Sequence, residues 1–142
     1  MKNLSRIFLR IGAILAIVCG AIFVALTVMF AIFASPAFKD ALMEGFKNGT
    51  AHSSYEGSIE DQTFAVQIMF LIMAISFGIT GALEIASAVI SFKAISKPSE
   101  NVLVLAIVFG ALSGTTFPIA GGVVGLIAEG KEKRRAEKLA NE

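Results

Sequence analysis

The chain has 142 residues, 56% of them hydrophobic and 16% charged, with a formal net charge of +1; soluble domains carry roughly 45–50% apolar and about 25% charged residues. This composition excludes a soluble globule and a disordered chain, and a single cysteine excludes a disulfide scaffold. With no basic face interleaved with aromatics, it also excludes a nucleic-acid-binding domain.

Lys2, Arg6 and Arg10 precede a charge-free run from Ile11 to Phe38. A secretory signal begins the same way, but its apolar core ends after about 7–15 residues, whereas about 20 residues span a bilayer. The segment is therefore expected to stay as a membrane helix over 5–34, with Cys19 as a buried, inert thiol. Residues 35–62 form an outer loop. Within it Ser35-Pro36 combines a cap with proline at the first helical position. Phe38, Leu42 and Phe46 then recur every four residues opposite Lys39, Asp40 and Glu44, which predicts a short amphipathic helix at the outer surface. Lys47-Asn48-Gly49-Thr50 reads as a turn. His52, the sole histidine, has no neighbouring ligand set, so neither a metal nor a cofactor is expected.

A second long helix is expected over 63–94, charge-free from Gln62 to Phe92 except for Glu84. Ser76, Thr80, Glu84, Ser87 and Ser91 share one face of it, and Gly78 and Gly81 beside them admit a neighbouring helix. Hydroxyls on such a face ordinarily bond across the bundle or back to their own helix, for about 0.6 kcal/mol each. Glu84 precedes Lys93 by about 13 Å of helix. Acids at such depth mark proton or ion pathways, or are paired within the bundle. Two readings follow: a proton- or cation-coupling site, or a structural acid bonded to serines, salt-bridged to Arg10 or wet at the interface.

The third apolar region, Asn101 to Ala128, is interrupted by Gly114-Thr115-Thr116-Phe117-Pro118. One kinked helix would leave Lys131, Lys133, Arg134, Arg135 and Lys138 on the outer side with Lys39 and Lys47. A hairpin with helices over 101–114 and 117–138 instead puts ten cationic residues inside against two outside, which obeys the positive-inside rule. Both termini are then cytoplasmic, with a tail over 130–142. Each apolar half extends only about 21 Å against a hydrocarbon core of about 30 Å, so the hairpin is either re-entrant or turned within the shelter of the longer helices. Small residues at four-residue spacing let backbones approach: Gly12, Ala16 and Gly20; Ala106, Gly110 and Gly114; Gly121 and Gly125. Their first use is expected to be packing within the subunit.

The layout resembles a family of small bacterial membrane proteins without assigned function, common in Gram-positive species. The resemblance rests on the basic start with Arg6 and Arg10, the long first helix with Gly12 and Gly20, an external loop and a second helix. It continues through the link Lys97-Pro98, the short halves Val102 to Gly114 and Phe117 to Gly130, and the charged tail. It covers nearly the whole chain, through unspecific motifs, and the outer loop here is longer and the third helix shorter. The resemblance implies four helices in the cytoplasmic membrane and supplies no catalytic residues.

The expected fold is all-α, a single integral membrane domain: a bundle of two long helices and a hairpin of two short ones. Its partners are the lipid bilayer and either another membrane protein or a second copy, and not nucleic acid. No nucleophile with a base, phosphate-cradling loop or metal-ligand spacing is present, so no enzyme is expected. The expected function is non-enzymatic association with partner proteins or the membrane, in an envelope, assembly, immunity or transporter-accessory role. The alternative is a small oligomeric proton- or cation-coupled transporter or channel that uses Glu84.

Overall fold

The computed structural model describes residues 1–140; the last two residues of the expected tail lie outside them. The described residues form five α-helices and no strand: α1 Lys2–Phe33, α2 Pro36–Lys47, α3 Ile59–Ser96, α4 Glu100–Ser113 and α5 Thr116–Ala140. Both α1 and α3 are long and apolar enough to cross a membrane. By contact the chain divides into two compact units, one of Met1–Ala21 with Thr80–Glu142 and one of Ile22–Ile79.

Local chemistry sets the helix ends. α2 begins at Pro36, although the Ser35 side chain makes no cap bond; its carbonyl instead accepts from Gln67 Nε2 at 3.2 Å. α3 starts four residues before the apolar run suggests. Ser58 caps it: Ser58 Oγ accepts from the Asp61 amide at 3.1 Å, and Asp61 Oδ2 accepts from the Ser58 amide at 3.3 Å, the reciprocal pairing of a capping box. Between α4 and α5, Gly114 adopts φ +73°. Its amide bonds to Ala111 O, and that of Thr115 to Gly110 O at 2.8 Å, so a Schellman turn satisfies the last carbonyls of α4.

The first unit is closed by small residues. Leu9, Gly12, Ala13, Ala16 and Gly20 form the buried stripe of α1. A Cβ built on Gly12 would stand 2.6 Å from Pro118 Cδ, one on Gly121 2.7 Å from Leu9 Cγ, and one on Gly125 2.7 Å from Leu103 Cδ2. Gly110 meets Pro118 and Ile119, while Gly122 meets Leu103 O and Ile107. Residues running up α4 thus pair with residues running down α5, an antiparallel hairpin rather than one kinked helix. Because Pro118 touches Gly12, the turn sits only about 15 Å along α1 from Lys2. Ser5, buried, donates to Gly121 O at 2.7 Å, tying α1 to α5.

Aromatic rings close the second unit. Phe30 stacks on Phe77 at 5.5 Å, Phe77 on Phe23 at 5.9 Å, and Phe33 lies 4.8 Å from Phe38 of α2 and 5.4 Å from Phe70. α2 has no fully buried residue; Phe38 is its anchor. Around both units α1 and α3 turn large apolar side chains outward, including Ile14, Val18, Val28, Ile72, Ile79 and Val89, each more than half exposed. Soluble monomers rarely expose apolar surface so extended.

Candidate functional site

Besides Ser5 of α1, the buried polar side chains of the first unit lie on one stripe of α3. Glu84 is 4% exposed and Ser87 and Ser91 are 0% exposed. Glu84 Oε2, Ser87 Oγ and Ser91 Oγ are shielded from solvent and have no hydrogen-bond partner. An unmet buried polar group costs about 1–3 kcal/mol, so the absence of partners requires a reason.

The α1 packing supplies it. A Cβ on Gly20 would lie 3.5 Å from Glu84 Cβ and 3.5 Å from Gly81 O, so two backbones nearly touch beside the acid. The buried stripe of α1 there is Gly12, Ala13, Ala16 and Gly20, with no polar side-chain atom to answer Glu84. The two structural pairings expected of the acid are absent. Ser87 and Ser91 make no bond, and Arg10 is exposed, with no salt bridge to Glu84 among the described residues.

Other hydroxyls of the long helices behave differently. Thr27 donates to Phe23 O at 2.8 Å, Thr63 to Ile59 O at 2.7 Å, Ser76 to Ile72 O at 2.8 Å and Ser96 to Phe92 O at 2.9 Å. This bond to the carbonyl four residues back is the usual refuge of a helical hydroxyl. Ser87 and Ser91 do not take it. Of the five stripe residues read from sequence, Thr80, Glu84, Ser87 and Ser91 fall in the first unit, and Ser76 falls in the second.

The stripe can do some chemistry and not other. From Glu84 to Ser91 the oxygens spread over about 10 Å of helix, too far apart to enclose a dehydrated cation that needs six or more oxygens. Among the described residues no group of three or more His, Cys, Asp and Glu side chains gathers as a metal site. A proton requires less, namely a carboxyl and relaying hydroxyls or waters.

Sequence reasoning missed a cavity of about 190 Å³ at one end of the first unit. Lys2, Arg6, Glu129 and Glu132 ring its mouth, and Leu9, Ala94 and Leu103 line its depth. Lys2 Nζ pairs with Glu132 Oε1 at 2.6 Å. The alternating charges of the tail were legible, but nothing in their spacing says that they meet the start of α1. The small residues sort as follows. Gly12, Gly20, Gly110, Gly121 and Gly125 sit against neighbouring helices; Ala16 is fully buried; Gly78 meets Thr27 Cγ2 at 3.5 Å. Gly114 is a correction: nothing lies within 4 Å of its Cβ position, and its positive φ makes it the helix cap, not a packing residue. No protein-family model, curated protein or solved structure matches the chain.

Proposed function

We propose that the chain is a small, non-enzymatic, multi-pass protein of a bacterial cytoplasmic membrane that moves or senses protons through Glu84. In this reading α1 and α3 cross the bilayer and the α4–α5 hairpin enters from the cytoplasmic side, where both termini lie, making a four-helix membrane bundle. The excess of cationic residues at that side supports the orientation. A turn only about 15 Å from the start of α1 supports a re-entrant hairpin. Its Schellman bonds leave little backbone polarity to be sheltered.

One observation carries the functional reading: a buried carboxyl oxygen and two buried hydroxyls, aligned on one stripe, are all without partners. Structural acids within a membrane bundle are ordinarily paired there. The spread of the oxygens favours a proton over a metal cation. In purified protein reconstituted into liposomes with an entrapped pH dye, an imposed pH gradient should decay faster than in empty liposomes, and Glu84→Gln should abolish the difference. Equal decay for both proteins would remove Glu84 from the function and return the association role, with a partner membrane protein or second copy, to the lead.

A further inference from the structure

The stripe and the charged cavity belong to the same unit and are joined by one residue. Ala94, three residues beyond Ser91 on the same face of α3, lines the cavity. It also belongs to the buried cluster of Leu9, Ala94, Leu103 and Ala106. Leu9 and Leu103 line the cavity beside Ala94 and are the largest side chains of that buried cluster, each 1% exposed.

Both leucines are seated on glycines of α5. Leu9 lies over Gly121 and Leu103 over Gly125, at distances where a methyl group would collide. The successive rises from Glu84 to Ser87, Ser87 to Ser91 and Ser91 to Ala94 are about 4.5, 6 and 4.5 Å. One water hydrogen-bonded on both sides bridges about 5.5 Å, the scale of these intervals, so single waters would link the stripe once the helices part. A narrow apolar constriction holds such a file dry until it widens.

We propose that Leu9 and Leu103 form an apolar gate between the charged cavity and the Glu84 stripe, and that its opening admits water past Ser91 and Ser87 to Glu84. The inference rests on the proton-coupling reading of Glu84 and adds the route and its side. The two hydroxyls are then the relay of the open state.

Silver ion, water-sized and thiol-reactive, is the probe. In a Cys19→Ser background, single cysteines are placed at positions 84, 87, 91 and, on the cavity rim, 132. Modification in sealed vesicles of each orientation is read as loss of later maleimide labelling in denaturant. From the cavity side, position 132 should react at once, and 91, 87 and 84 in falling order. Leu103→Ala should raise the rates at 91 and 87 several-fold while leaving that at 132 unchanged. Leu103→Val should act in the same direction should the alanine variant fail to fold. Rates at 91 and 87 that ignore both substitutions, or modification of 84 only from the opposite side, would overturn the gate and leave the proton-coupling reading standing. Silence at 84, 87 and 91 from both sides in every variant, with 132 reacting, would overturn both.

Discussion

The two units use different materials, and the buried hydroxyls of α3 differ between them. In the second, phenylalanines fill the interior, and Thr27, Thr63 and Ser76 each bond to the carbonyl four residues back. In the first, glycine and alanine bring backbones together, and Ser87 and Ser91 are sealed in without a bond. Aromatic packing asks only for area and ring geometry. Backbone-to-backbone packing leaves little room for a side chain to reach across: Ser5 finds Gly121 O, whereas Ser87 and Ser91 find no acceptor. The unit that packs most closely is thus the one that holds unsatisfied polarity around Glu84.

Substitutions that exchange these materials should break the contrast. Leu103→Ala empties a glycine-floored socket in the first unit and should cost about 2–5 kcal/mol. The matching change in the second, Phe30→Leu, gives up ring contacts worth about 0.5–1.5 kcal/mol each. Thermal unfolding in detergent would rank them. Gly121→Ala places a methyl 2.7 Å from Leu9 Cγ and should destabilise by about 1–3 kcal/mol. Gly78→Ala, whose new carbon meets nothing closer than 3.5 Å, should be neutral or gain up to about 1 kcal/mol from helix propensity. Equal losses at the two glycines would erase the distinction between the units.

Smaller effects sharpen it. Removing a buried hydroxyl that has no partner relieves its desolvation cost, so Ser87→Ala and Ser91→Ala should stabilise the closed protein by about 1 kcal/mol while slowing proton access. Ser76→Ala should change neither. Loss of stability at Ser87 and Ser91 would mean that both already hold a partner. The smallest effect belongs to Glu100 and Lys133, paired at 2.8 Å on the surface. Lys133 holds the Glu100 carboxyl below the usual carboxylate range, and Glu100 pushes the Lys133 ammonium up. The contribution of Glu100 is therefore present at neutral pH and fades as pH falls through its lowered value. That of Lys133 fades as pH rises through its raised one. Solvent screens so exposed a pair: Glu100→Gln should leave the melting temperature within error at neutral pH, with any residual gap closing in acid.

Hydrophobic length made the long helices legible, because charge-free runs admit few alternatives, and the placement of the cationic residues chose a hairpin over one kinked helix. Ser35-Pro36 and the Phe38, Leu42, Phe46 rhythm likewise announced α2. The start of α3 was hidden because Glu60 and Asp61 look like loop residues until Ser58 is recognised as their cap. Spacing placed Thr80, Glu84, Ser87 and Ser91 on one face, but could not say that the face of α1 near Glu84 would offer only glycine and alanine. Gly114 shared the spacing of packing glycines while its backbone did a different job. The cavity was illegible because its mouth joins Lys2 and Arg6 to Glu129 and Glu132 across nearly the whole chain, and no local pattern records such a meeting.

The most direct measurement is an infrared difference spectrum of the reconstituted protein across a step in bath pH, with the Glu84 carboxyl assigned by its loss in Glu84→Gln. Proton exchange between Glu84 and the bath requires a Glu84 band that appears with the pH step and is slowed by Ser87→Ala and Ser91→Ala. A carboxyl that answers no pH step, in protein whose Glu84→Gln variant folds normally, would contradict a proton-coupling role and leave the stripe a sealed part of the packing.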